Sequence, residues 1–512
     1  MKIASPGTCC ALLTGSCVLL ISLGCGSGTS APPGTAVIST QNPLVAEYDV
    51  RFGPRPATTW VEFGQDTSYG RQTAPATTTE YLKSLNVLVA GMLPGTTYHM
   101  RAHVTSANGE WIDQDHTFTT GPLSSAYQLS FAVSRPGPSV QQSGVELIDM
   151  VQANAPNPDA VVTDLDGNII WYYDIGALQG NIPFPIRQLP NGHFLLNIEN
   201  APAGIADLRE IDLAGNTIRD VSLAQINQAL QENGYSITLS TLHHDVIALP
   251  NGHWIAIGNT TKEFTGLAGY PGTTSVLGDV LVDVDESGNV AWVWSTFDHL
   301  NVNRHLQGLP DWTHANALVY TSDGNLLLSM RNQSWVIKIN YADGTGAGDI
   351  LWRLGEGGDF ALAGNDPKEW FYAQHFPNIV SDQGSLFTVA IFDDGNQRIL
   401  DDIGTECGLP GDPDCYSRAA IYNLDENSKT AAVGWEYLPD LFTFWGGSIS
   451  QLDNGDVEFD MSAPTPVPNA LSSVFEITPD GQVTWRLDIK KGGNAYRAYR
   501  IPSLYPGVTW QK

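Results

Sequence analysis

Residues 312–340 read WTHANALVYTSDGNLLLSMRNQSWVIKIN, and the way this stretch recurs along the chain decides the fold. A polar pair, His314 and Asn316, precedes an apolar run; Ser322-Asp323-Gly324-Asn325 forms a turn; Leu326-Leu327-Leu328 and then Arg331 follow. Aspartate-glycine between two strand-like runs is a strong hairpin signal. Folding about that turn brings His314 roughly opposite Arg331. An imidazole and a permanent cation then sit on neighbouring strands, and neither belongs in an ordinary apolar core.

The hairpin has relatives at Leu189-Pro190-Asn191-Gly192-His193, Leu249-Pro250-Asn251-Gly252-His253, Ser381-Asp382-Gln383-Gly384 and Leu452-Asp453-Asn454-Gly455, each followed by a largely apolar strand. A second unit is a turn leading into a strand that often ends in tryptophan. It occurs at Asp166-Gly167-Asn168, Ala214-Gly215-Asn216, Ser287-Gly288-Asn289, Gly348-Asp349, a degenerate copy ending near Trp435, and Asp480-Gly481-Gln482. The period is about 60 to 70 residues, enough for four strands and long loops. The fold class is therefore all-β: a six-bladed β-propeller over 125–512, its first blade beginning near Ala126 and its last ending near the C-terminus. Only 15% of residues are charged and 51 are glycine, a composition that suits many turns and short strands.

Ahead of the propeller, residues 36–122 read as a small β-sandwich. Trp60-Val61-Glu62-Phe63 alternates like a strand, and Leu93-Pro94-Gly95-Thr96-Thr97-Tyr98 resembles the tyrosine corner of immunoglobulin-like domains, fibronectin type III above all. His99, His103 and His116 read as exposed strand residues. Residues 1–25 form an export signal: Lys2, an apolar run from Ala11 to Leu23, then Gly24-Cys25, which resembles a lipoprotein cleavage site with Cys25 as the lipidated residue. Residues 26–35 read as a flexible tether. An exported chain, periplasmic or anchored to the outer membrane, is the expectation, and a disulfide between Cys407 and Cys415 suits it. With 54 acidic against 25 basic residues the net charge is −29, which argues against nucleic acid as a partner.

A propeller's innermost strands line its axial channel, so side chains far apart in sequence converge there. His244, His314 and His375 each lie eight to ten residues before a turn glycine, which places three imidazoles on successive blades at one level, with Arg331 beside the middle one. Which of His243 and His244 faces the channel is a question of register, since neighbouring strand residues point oppositely; the offset favours His244. Three histidines suit zinc, but an adjacent guanidinium repels a metal and suits a tetrahedral anion, with Asn316 adding an amide donor. The glycine-rich run Gly344–Gly348 lies between strands without a following helix, so a phosphate loop is not expected.

The segments HHDVIALPNG, THANALVYTSDGNLLLSMRNQSWVIKI, QHFPNIV, FDDGNQR and AYRAYRIPSLYPG resemble the bacterial arylsulfate sulfotransferase family over nearly the whole propeller. The resemblance implies transfer of a sulfuryl group from an aryl sulfate donor to a phenolic acceptor, with no cofactor and no metal. It implies His375 as the nucleophile, His244, His314 and Arg331 around the sulfuryl oxygens and the moving proton, Asn316 as a substrate contact, and ping-pong kinetics through a sulfohistidine. A homodimer built on the N-terminal β domain is a further expectation from the family. Two other readings stand beside it: a non-catalytic exported propeller that binds a glycan or a protein, and a metal-dependent hydrolase or lyase using the same histidines.

Overall fold

The computed structural model describes residues 34–51, 56–78, 84–107, 109–151, 157–175, 182–200, 203–364, 369–398, 407, 415–465 and 470–511. The export signal, Cys25 and most of the tether lie outside these residues. The first strand, Gly34–Ser39, begins two residues inside the stretch read as tether.

From residue 130 onward six sheets follow one another around the ring, antiparallel but for the short parallel pairing of Ala361–Leu362 with Thr430–Tyr437. The innermost strands are Asn494–Ile501 in blade 1, Ile182–Gln188 in blade 2, Thr241–Ala248 in blade 3, Ala315–Tyr320 in blade 4, His375–Gln383 in blade 5 and Ile449–Gln451 in blade 6. The six-bladed propeller expected from the repeats is the observed architecture. Four of the inner hairpins turn alike: the amides of Gly192, Gly252, Gly324 and Gly455 donate to the carbonyl three residues back, at 2.9–3.0 Å. Gly324 has φ +76°, a left-handed conformation that glycine reaches without steric cost. Tryptophans within the outer strands tie blades to their neighbours. Trp171 donates to Leu213 O at 2.7 Å, Trp294 to Gly348 O at 2.9 Å and Trp485 to Leu165 O at 2.9 Å.

The ring closes differently from the simple expectation. Ser130–Ser134 pairs with Val483–Lys491 as the outermost strand of blade 6, and the C-terminal strand Asn494–Ile501 pairs with Val145–Val151 as the innermost strand of blade 1. Each end of the repeat thus completes the other end's sheet. Sequence repeats alone do not reveal such an exchange.

The N-terminal region forms a three-stranded and a six-stranded sheet, packed on blades 1 and 2 in one continuous core with Tyr505 and Trp510. Tyr505 Oη accepts from Ala90 N and donates to Leu88 O, so the chain's last residues fasten the two units. Leu93 N donates to Tyr98 Oη at 3.0 Å within the LPGTTY segment. Of the three histidines expected at the surface here, His103 is buried, stacked on Trp60 and 3.0 Å from Glu62; its carboxylate partner sits on the neighbouring strand. Cys407 and Cys415 form a disulfide.

Candidate active site

Five of the six inner strands share one irregularity. Tyr496-Arg497, Phe184-Pro185 and Phe376-Pro377 each set two residues against one on the neighbouring strand, and His243-His244-Asp245 sets three against one. In blade 4, Asn316 is the extra residue. Such bulges break the strict in–out alternation and re-aim side chains. His244, His314 and Phe376 hold left-handed backbone, at φ +59°, +49° and +44°, where non-glycine residues cost about 1–3 kcal/mol each unless the surrounding structure holds them.

The bulges gather the predicted histidines. The His244 and His314 rings meet edge to face at 4.8 Å, and Tyr496 lies 5.8 Å from His244 and 6.0 Å from His375. His243 and His244 both take part in the cluster: their rings are 4.9 Å apart and their Nδ1 atoms 2.8 Å apart. The alternation argument that set one against the other fails because the bulge suspends alternation there.

His375 is buried. Its Nδ1 lies 2.6 Å from Asp394 Oδ2, and the Gly446 amide donates to its Nε2 at 3.3 Å. An N–H pointing at Nε2 requires a lone pair there, so the ring proton sits on Nδ1, facing Asp394. Burial, then Arg331, His314 and Arg497, hold the His375 pKa well below its ordinary value, so the imidazole is neutral. Burial pushes the Asp394 carboxyl well above its usual range, with Arg331 opposing. His314 Nδ1 is likewise engaged, by Asp311, whose carboxyl is held low against its burial by His314, His243 and Arg331.

Arg331 sits where the hairpin predicts: its amide donates to His314 O at 3.0 Å. Its guanidinium donates to Gln307 Oε1, Asn332 Oδ1 and Phe444 O, each at 2.9 Å. These acceptors are neutral, so they orient the cation and leave its charge for an anion. Asn316 is fully buried, and its amide donates to Gln374 O at 2.8 Å. The Gln374 amide reaches Ser329 Oγ and Trp335 O, at 3.0 and 2.9 Å. Both side chains thus grip the peptide just before His375, and the donor that sequence analysis aimed from Asn316 at substrate is used on backbone.

Asp311, Asp394, Tyr496 and Arg497 escaped sequence analysis. Asp394 lies in FDDGNQR, and Tyr496 and Arg497 in AYRAYR, so the segments were marked while their partners, distant in the chain, were not. Among the described residues, no group of three or more His, Cys, Asp or Glu side chains has an arrangement that holds a metal ion.

Among solved structures, the fold is similar to a quinonprotein alcohol dehydrogenase-like protein of Bacteroides thetaiotaomicron, at 10% identity and TM-score 0.32, covering 89% of this chain and 94% of that one. It is also similar to a catalytically inactive virginiamycin B lyase of Staphylococcus aureus with quinupristin, at 13% identity and TM-score 0.30, covering 60% and 69%. A Synechocystis apocarotenoid oxygenase mutant matches at 9% identity and TM-score 0.30, covering 89% and 81%. Scores this low support no functional argument. No curated protein matches the chain. The family model for arylsulfotransferase (ASST) matches residues 132–500, which takes in five of the six innermost strands whole, all but the last residue of the sixth, and every residue of the histidine cluster. The chain is therefore a member of the arylsulfotransferase family.

Proposed function

We propose that the protein moves a sulfuryl group from an aryl sulfate to a phenolic acceptor through an N-sulfonated His375. The observation that carries this reading is the pair of contacts on the His375 ring, Asp394 at Nδ1 and the Gly446 amide at Nε2, which leaves a lone pair on a neutral nitrogen near an unneutralised guanidinium. In the first half-reaction Nε2 attacks sulfur and the S–O bond to the aryl group breaks. The phenolic oxygen leaves with the bonding pair and takes a proton from a neighbouring imidazole. The ring, now bonded to sulfur and still carrying its Nδ1 proton, is positively charged, and that N–H stays hydrogen-bonded to Asp394. Arg331 faces the equatorial oxygens where negative charge builds. In the second half-reaction an acceptor phenol gives its proton to that same neighbouring imidazole and attacks sulfur, the S–N bond breaks and the lone pair returns to Nε2. Export, lipid attachment at Cys25 and an N-terminal immunoglobulin-like domain over 36–122 belong to the same proposal, and the Cys407–Cys415 disulfide fits an oxidising compartment.

The assay is release of 4-nitrophenol from 4-nitrophenyl sulfate with and without added phenol. The expected result is phenol-dependent turnover with parallel double-reciprocal lines and phenyl sulfate as product. Release that is indifferent to any phenol, with free sulfate as the product, contradicts a transferase.

A further inference from the structure

The transfer proposed above needs a group that gives a proton to the leaving phenolic oxygen and takes one from the acceptor, and the cluster holds two histidines besides the nucleophile. We infer that His243, backed by Asp279, stores that proton and makes His244 the acid–base residue of both half-reactions.

The three-against-one bulge turns both rings of the His243-His244 pair into one cluster. Their Nδ1 atoms are 2.8 Å apart, a distance at which one must donate and the other accept. His243 Nε2 lies 3.2 Å from Asp279 Oδ1, an ion-pair contact rather than an aligned hydrogen bond. Asp279 is fixed in turn: its Oδ2 accepts from Thr313 Oγ1 at 2.6 Å and Ala315 N at 2.7 Å, so it is anchored to the strand that carries His314. A His243 protonated on both nitrogens satisfies both of its contacts, one toward Asp279 and one toward His244. His244 then accepts at Nδ1, and its own proton is on Nε2. Its ring lies between His314 and Tyr496, and Tyr496 also borders His375.

The charges around the pair act in the same direction. Burial opposes a charge on His243, but Asp279, then Glu199 and Asp311, outweigh it and raise its pKa. His244 is pushed well below its ordinary value by burial, then by His314, His243, His375 and Arg497. The proton thus rests on the outer ring and the inner ring is neutral. When the S–O bond breaks, His244 Nε2–H goes to the phenolic oxygen, Nδ1–H of His243 moves to His244 Nδ1, and His243 becomes neutral. The acceptor phenol reverses each transfer, and the pair ends as it began. His314, held by Asp311, remains a partner of the sulfuryl oxygens.

This inference rests on the sulfuryl-transfer reading, and the experiment separates the two. His243→Gln is assayed with 4-nitrophenyl sulfate, whose phenolate leaves unaided, and with phenyl sulfate, whose leaving oxygen needs a proton. The expected loss in kcat/KM is about 10²-fold for phenyl sulfate and under about 10-fold for the nitrophenyl donor. The ratio of the two, taken on one preparation, does not depend on how much of the variant is folded. His244→Gln should show the same steepening, and the double variant should be no steeper than His244→Gln alone. Equal losses with both donors, or a His243→Gln protein inactive on both, overturns the relay. A wild-type protein that turns over neither donor overturns the sulfuryl-transfer reading itself.

Discussion

Two guanidinium groups border the same histidines and are treated oppositely. Arg331, after blade 4's second strand, is held by an amide oxygen of Gln307, an amide oxygen of Asn332 and a backbone carbonyl, and no carboxylate pairs with it among the described residues. Arg497, in the blade 1 bulge, is fully buried and paired with Asp245 at 3.1 Å, and it donates to Asn316 O at 2.6 Å. Asp245 is shared with Arg187 through a two-pronged contact and also accepts from Leu318 N. The seam between blades 6 and 1 goes further: Arg500 meets Glu146 at 2.9 Å and Glu476 at 2.8 Å, with Glu458 at 3.6 Å. The series teaches how one side-chain type divides its labour. A neutralised guanidinium cross-links the ring; one left with neutral acceptors attracts an anion.

The comparison breaks first at Arg497. Arg497→Met leaves Asp245 buried with one partner fewer, so the variant should lose about 3–5 kcal/mol of stability in urea unfolding. If instead its stability is unchanged while turnover is lost, Arg497 belongs with Arg331. Arg331→Met should do the reverse, losing about 10²–10³ in kcat with a melting temperature near that of the wild type.

The seam gives the smallest effect and sharpens the rule. Burial, then Glu146, raises the Glu458 pKa well above its usual value, with Arg500 opposing. The native state therefore binds a proton that the unfolded chain releases near pH 4.5. Its stability is present in acid and falls as pH rises through the native value. Glu458→Gln should remove that slope and raise neutral-pH stability by about 1 kcal/mol. A steeper loss with rising pH in the variant would count against an excess of buried negative charge at the seam.

Much of this was legible beforehand. Recurring turn glycines announced six blades, and the offset of His244, His314 and His375 from them announced one cluster, in which the His244 and His314 rings touch and Tyr496 lies between His244 and His375. The Asp323-Gly324 turn alone sufficed to put His314 beside Arg331. What stayed hidden depends on distant partners. Asp394 reaches His375 from the next strand, and Tyr496 arrives from the C-terminal strand that completes blade 1. Neither pairing has a local pattern. The bulges were hidden as well, and they account for the His243–His244 question: period-two reasoning forces a choice where the backbone makes none.

In the proposed transfer, His375 Nε2 is the atom that carries the sulfuryl group. Quenching the protein with an aryl sulfate in the absence of acceptor, followed by peptide mass spectrometry at alkaline pH, tests this directly. The expected result is one added sulfuryl group on the peptide containing His375, discharged by phenol and absent from His375→Ala. A sulfuryl group on the His244 or His314 peptide, or turnover by His375→Ala, would contradict it.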